Sequence, residues 1–297
     1  MIPRRQGCFA GKFYIKMIFT GIMYDNIFNQ KKGKSMITSP TNKRIKEIIQ
    51  LNQKAKARRE RDAFIVEGAK MFLEADIERI EEVYVSESAW GQLSEACKQK
   101  LSELSCPYET VVDEVFRKMS DTQTPQGILC VVRQYHYELN DILVTEKPLL
   151  VVLEDIQDPG NLGTIFRTGE GAGVTGIIMS SHTVDIYNPK TIRSTMGSIY
   201  RMPFIYVEDL QETLSVLKKK DIATYAAHLQ GAKFYDECDY QRGTAFLIGN
   251  EGNGLQEKTA KLADTYIKIP MEGKVESLNA AVATSILIYE AARQRRQ

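Results

Sequence analysis

Chemistry in this chain concentrates in three short clusters of the C-terminal half. The first, Asp158-Pro-Gly-Asn-Leu-Gly-Thr-Ile-Phe-Arg, pairs a turn at Pro159-Gly160 with Asn161, a plausible helix cap, and places Arg167 six residues further on. The second, Phe246-Leu-Ile-Gly-Asn-Glu-Gly-Asn-Gly-Leu, surrounds Glu251 with Gly249, Gly252 and Gly254, so that a ligand could meet bare backbone beside a carboxylate. The third runs Ile267-Lys-Ile-Pro-Met-Glu-Gly-Lys-Val-Glu-Ser-Leu-Asn; Pro270 ends a strand, Gly273 permits a turn, and Ser277 can cap the last helix. Ala280, Ala281 and Ala283 are small enough to admit a ligand or a neighbouring helix. Helix packing alone would explain the alanines, but not Ser277-Leu278-Asn279 at the helix mouth.

Several chemistries are excluded by order and spacing. Gly169, Gly171 and Gly173 invite comparison with a dinucleotide fingerprint, yet they end a helix and precede a strand, whereas that fingerprint needs strand then helix. No Gly-Lys-Ser/Thr follows any glycine loop here, which argues against a nucleoside triphosphate P-loop. Cys8, Cys97, Cys106, Cys130 and Cys238 are scattered with no C-x-x-C pair, and His136, His182 and His228 lie far apart. That spacing predicts no metal, no disulfide framework, and a reducing, cytoplasmic setting.

The elements that must position these clusters follow from hydrophobic pattern. Leu149-Leu-Val-Val-Leu is a continuous apolar run, as expected of a strand buried on both faces of a parallel sheet. Similar runs recur at 176–179, 204–207, 222–227, 245–248 and 266–269, and a helix is predicted from about Leu278 to Arg293. Ligands gather at the carboxyl ends of strands in such sheets, where the first two clusters fall. Upstream, strands at Ala63–Val66, Val83–Val85 and Gly127–Val132, with helices through Leu73 and over 89–104, predict a small α/β layer domain spanning 36–135. Residues 136–148 read as a linker and 149–297 as the catalytic domain.

Net charge is only +1, so a nucleic-acid surface would have to arise locally. Residues 41–61 supply such a surface, with Lys43, Arg44, Arg58, Arg59 and Arg61 among eight basic groups opposed by Glu47 and Glu60. Ile45, Ile48 and Ile49 give the stretch a helical apolar side, with Thr41 or Asn42 as cap. A solvated helix face and a phosphate-contacting surface fit that composition equally. Residues 1–35 hold an apolar run, Met17–Tyr24, too short to span a bilayer, and Met36 reads as the natural start. No membrane segment is expected.

The motif order N-L-G-x-I-x-R-T, then G-N-E-G-x-G-L, then I-P-M-x-G-x-x-x-S-L-N resembles that of the SpoU (TrmH-like) RNA 2′-O-ribose methyltransferases, from about Met36 to the C-terminus. More loosely, Arg61–Gly68 and Thr124-Pro-Gln-Gly127 resemble that family's substrate-binding domain of ribosomal-protein type. The resemblance implies an α/β catalytic domain with a parallel sheet and a deep trefoil knot, a homodimer whose site borrows residues from its partner, and S-adenosylmethionine bound in bent form. Carried onto this sequence, the cofactor contacts are Gly249, Gly252, Ile269, Met271 and Leu278, and the catalytic residues are Asn161, Arg167, Glu251, Ser277 and Asn279. The implied substrate is RNA, with 23S ribosomal RNA favoured by the separate N-terminal domain; alternatives are a transfer-RNA 2′-O-methyltransferase and a non-catalytic RNA-binding protein of the same fold. The basic stretch becomes the expected RNA grip.

The implied reaction is attack of a ribose 2′-hydroxyl on the methyl group of a sulfonium. A hydroxyl is a poor nucleophile until its proton is drawn off, so positioning and alkoxide stabilisation should dominate. The family's arginine is often drawn as the base, but a guanidinium stays protonated in proteins. Arg167 is therefore expected to clamp a phosphate or stabilise the alkoxide, Glu251 to orient Arg167, and Asn161, Ser277 and Asn279 to fix the loops and the ribose.

Overall fold

A computed structural model describes residues 36–296 of the chain. The expectations for residues 1–35, including the start at Met36, lie outside the described residues apart from Met36 itself.

The basic stretch forms two helices, α1 (Lys43–Gln53) and α2 (Ala55–Arg61), parted where Lys54 takes an extended backbone, φ −124° and ψ 117°. Asn42 supports the first turn of α1, its side-chain oxygen accepting the Arg44 N–H at 2.9 Å. Ile45, Ile48 and Leu51 are buried, as the periodicity requires. There follow β1 (Ala63–Glu67), α3 (Ala69–Glu74), β2 (Ile80–Ser86), α4 (Glu87–Trp90), α5 (Glu95–Glu103), β3 (Tyr108–Val111), α6 (Asp113–Met119) and β4 (Ile128–Arg133). The helix expected over 89–104 is two helices, because Ser94 caps a new one by accepting the Cys97 N–H at 3.3 Å. β3 has too few residues to show a period, so no strand is expected there from hydrophobic pattern. These strands form a sheet of order β1-β4-β2-β3, in which β2 runs antiparallel to β4 and parallel to β3.

The C-terminal half comprises α7 (Leu139–Ile142), β5 (Leu149–Leu153), α8 (Pro159–Ala172), β6 (Gly176–Ser180), α9 (Pro189–Thr195), β7 (Phe204–Val207), α10 (Leu210–Lys219), β8 (Ala223–Ala227), β9 (Lys233–Phe234), β10 (Thr244–Ile248), α11 (Glu257–Ala260), β11 (Thr265–Lys268) and α12 (Ala280–Arg295). Their sheet has the order β7-β6-β5-β10-β8-β11-β9, and neighbouring strands are parallel throughout. Every residue of β5, β6 and β10 is buried. This is why these strands lack polar alternation: helices cover both faces of a parallel sheet. The glycine cluster sits as its order demanded, with Gly169 and Gly171 in the last turns of α8 and Gly173 capping it at φ +80° before β6 begins.

Among the described residues two compact units emerge: 36–50 with Glu67–Arg133, and Leu51–Val66 with 134–296. The second therefore includes a segment from early in the chain. In it, Phe64 packs on Tyr187 with ring centroids 4.7 Å apart, and Tyr187 on Phe204 at 6.0 Å. Ile142, in the stretch read as a linker, is fully buried against the position of Gly176.

Candidate active site

Because its strands are parallel, the second unit brings the loops after β5, β8, β10 and β11 to one edge of the sheet. The loop after β5 leads into α8. Pro159 takes the first helical position, where its missing N–H is no loss. Asp158, not Asn161, is the cap: its carboxylate accepts the Asn161 N–H at 2.8 Å, and that bond above all holds it below the usual aspartate range. Lys190 lies 3.4 Å from its other oxygen. The expected cap at Asn161 is thus corrected. Proline at the first helical position places the cap at the preceding aspartate, and the side chain of Asn161 is left available.

That side chain joins the three motifs. Asn161 Nδ2 donates to Glu251 Oε1 at 2.9 Å, and Asn161 Oδ1 accepts from Asn279 Nδ2 at 2.9 Å. Glu251 also accepts the N–H groups of Gln157 and Asp158, both at 3.1 Å. Partial burial works against its charge, but these bonds outweigh it and hold the carboxyl below the usual glutamate range. Asn279 in turn caps α12, its side-chain oxygen accepting from Ala281 at 2.9 Å and Val282 at 3.3 Å. Ser277, expected as that cap, is exposed and stands two residues too early.

The loop after β10 is closed on itself. Asn250 and Gly254 exchange backbone hydrogen bonds at 3.1 and 2.9 Å, and the Asn250 side chain accepts from Gly252 and Asn253. Its amide donates to Asp155 O at 2.8 Å, tying the loop to the one after β5. Gly249 permits this closure: a Cβ there would lie 2.1 Å from Gly254 C and Leu255 N. Gly254 has φ +68°, a conformation suited to glycine. Beneath the loop, Glu154 is buried and accepts from Gln256 N at 2.7 Å and from the Thr259 hydroxyl.

Arg167 projects from α8 and is exposed. Among the described residues it has no hydrogen-bonded or ion-paired partner. The expectation that Glu251 orients it is corrected, since both Glu251 oxygens are occupied by Asn161 and the backbone ahead of α8. Ile269, Met271 and Leu278 are half-buried in the long loop after β11. No hydrogen bond joins the backbone of residues 270–278 to another described residue, and nothing lies within 4 Å of a Cβ built on Gly273.

The five basic residues read as an RNA grip separate. Lys43 and Arg59 are exposed, Lys43 lying 3.9 Å from Glu47. Arg44 bonds Glu109 at 2.8 Å, and Arg61 is half-buried. Arg58 is a correction: it is 3% exposed, with Nε and Nη2 on Asp185 Oδ2 at 2.9 and 2.7 Å and Nη1 on the carbonyls of Leu51 and Asn52. Its charge is spent inside the second unit because a buried guanidinium must be paired.

Several residues that support the site are not singled out by their sequence pattern. Asp158 could have been found from its position before Pro159. Gln157, Asn250 and Glu154 gave no such signal, since only the fold sets them across from their partners. Cys97, Cys106, Cys130 and Cys238 form no disulfide with one another, and among the described residues no group of three or more His, Cys, Asp or Glu could hold a metal ion.

A parallel sheet with glycine loops at its carboxyl edge, bound together by polar side chains, defines an α/β unit built to hold a ligand at its strand ends. Residues 148–289 match the SpoU rRNA Methylase family, and residues 42–130 match the MRM3-like substrate binding domain. A 23S rRNA (guanosine(2553)-2′-O)-methyltransferase of Bacillus subtilis, RlmP, is 30% identical over 259 residues, covering 85% of this chain and 97% of that one. Among solved structures, the SpoU methyltransferase AviRb of Streptomyces viridochromogenes, in complex with the cofactor AdoMet, superposes with a TM-score of 0.79 at 26% identity, covering 86% of this chain and 99% of that one. An rRNA methyltransferase from Sinorhizobium meliloti gives 0.77 at 31% identity, covering 89% and 98%. The chain belongs to the SpoU rRNA methylase family.

Proposed function

We propose that this protein transfers a methyl group from S-adenosylmethionine to a ribose 2′-hydroxyl of RNA, with 23S ribosomal RNA as the substrate. The observation that carries this reading is the hydrogen-bonded chain Glu251–Asn161–Asn279, which unites the three motif loops of a SpoU family member. RlmP, named for a 23S rRNA 2′-O-methyltransferase, matches over both units, and this favours ribosomal over transfer RNA.

The residues present fit the cofactor. Ile269, Met271 and Leu278 offer apolar walls, and the backbone of residues 270–278 keeps its polar groups free for a ligand. Apolar walls with a few convergent polar groups suit an adenosine. Gly249 and Gly252 hold the facing loop in shape. When bound, the cofactor supplies an electrophilic methyl group on a sulfonium.

Arg167, permanently cationic and unpartnered among the described residues, stabilises the 2′-oxygen as its proton passes to solvent water. Asn161, Glu251 and Asn279 keep the loops in register, and Ser277 faces the ribose from the third loop. Lys43, Arg59 and Arg61 contact RNA phosphates, and Arg44 joins them by exchanging Glu109 for phosphate. The protein acts as a homodimer through 149–297 in the cytoplasm, and that domain carries the trefoil knot; residues 36–135 dock the RNA. Among the described residues, no helix is long and apolar enough to cross a membrane.

Incubation with tritiated S-adenosylmethionine and ribosomal RNA should label the RNA, and the product should resist alkaline cleavage at one position. Mapping 2′-O-methylation with and without the gene would locate that position. Label on transfer RNA alone, or no label at all, would overturn the reading.

A further inference from the structure

Arg58 lies about a hundred residues upstream of the first motif in sequence, yet hydrogen bonds joined by short stretches of backbone lead from it to the site. Its guanidinium grips Asp185 through Nε and Nη2 at 2.9 and 2.7 Å. Asp185 belongs to the segment between β6 and α9. The other Asp185 oxygen accepts the Tyr187 N–H at 2.9 Å, and Asp185 O accepts from Thr191. The same segment is held by Tyr206, whose hydroxyl donates to Val184 O at 2.8 Å and accepts from Ile186 N at 2.9 Å.

Its far side supports the first motif loop. Val184 N donates to Ile156 O at 2.8 Å, and Gln157 Nε2 donates to His182 O at 2.8 Å. Gln157 N is one of the two backbone donors on Glu251. The 182–188 segment thus stands between Arg58 and the loop that fixes Glu251 and Asn161. All these groups lie in the second unit.

We propose that Arg58 is a positioning residue for methyl transfer, acting through Asp185 and the 182–188 segment on the loop that bears Gln157 and Asp158. This inference rests on the methyltransferase reading above. A guanidinium suits the task because its planar fork holds one carboxylate oxygen from two nitrogens and two carbonyls from the third. Lysine could keep the charge but only a single point of contact. Loss of the fork releases the segment while leaving the cofactor contacts and the side chains of Arg59 and Arg61 in place.

Spatial succession alone does not establish coupling, so the test must measure it. Arg58→Ala, Arg58→Lys and Asp185→Asn would be compared with the unaltered protein for kcat, for KM of RNA and of cofactor, and for thermal midpoint. Displacement of a motif loop by a fraction of an ångström is expected to lower kcat by about tenfold in Arg58→Ala, with both KM values within about twofold. Arg58→Lys should recover part of the loss. Arg58→Ala combined with Asp185→Asn should be no slower than the worse single variant, because both break the same contact. If Arg58→Ala does not fold, Arg58→Lys and Asp185→Asn carry the same expectation in milder form. A raised KM for RNA with unchanged kcat would make Arg58 an RNA contact and overturn the proposal. Unchanged kcat in folded variants would reduce it to a purely structural pair. Inactivity of the unaltered protein would instead count against the methyltransferase reading.

Discussion

Glu251 and Arg167 carry opposite charges and form no ion pair with each other. Glu251 is bound by Asn161 and two backbone N–H groups, so its ionised form belongs to the folded state. Its pKa is depressed on folding, so the stability it contributes is present above the ordinary glutamate value of 4.5 and is lost as pH falls through the lower folded value. The difference in thermal midpoint between the unaltered protein and Glu251→Gln should therefore be steady near neutrality and shrink below that range. A constant difference down to strong acid would show that the charge is not what the loop holds. Arg167→Ala leaves this network intact, so cofactor affinity by calorimetry should be unchanged. Losing an oxyanion-stabilising donor should reduce kcat about 10²-fold. Retained methylation would remove Arg167 from the chemistry.

At the scale of elements, α8 joins the strand edge to the site, and both its start and its flank are tightly specified. Asp158→Ala removes the cap and the contact to Lys190, a loss of about 1 kcal/mol. The thermal midpoint should fall by about 2–4 °C. Along its flank, α8 packs on α9 at Gly163, where an added Cβ would lie 2.4 Å from Ser194 Cβ and 2.7 Å from Thr191 O. Gly163→Ala should separate these helices and cost more stability than Asp158→Ala, even though alanine is the better helix former. A Gly163→Ala protein as stable as its parent in a denaturant melt would mean that the two helices adjust freely.

At the scale of the whole molecule, the second unit does not begin at its first parallel strand. Leu51–Val66 packs with it, through Arg58 on Asp185 and Phe64 on Tyr187. A chain starting at Leu149 would expose the aromatic faces of Tyr187 and Phe204 and strip Asp185 of its partner. Losing the buried Phe64 side chain alone removes about 2 kcal/mol of apolar burial. Such a fragment should melt well below the full chain by circular dichroism; an equal midpoint would show that the early segment adds nothing.

The parallel sheet was legible because buried strands such as Leu149–Leu153 and Thr244–Ile248 are apolar on both faces, a local property of composition. The motif loops were legible for a similar reason: glycine, proline and capping residues state their backbone needs within a few positions. Arg58 was misread because a basic residue on a helix looks the same whether it faces water or a distant carboxylate. The resemblance implies Glu251 beside Arg167, yet the fold brings it backbone N–H groups and Asn161. Sequence by itself determined the long buried strands, where the turns fall and which loops carry polar chemistry, since these depend on neighbours in the chain; the short strands β3 and β9 carry no such pattern. Only the tertiary structure decided which side chains meet, because Asn161, Glu251 and Asn279 become neighbours when parallel strands align their carboxyl ends, and Arg58 reaches Asp185 when an early helix folds back onto the later unit.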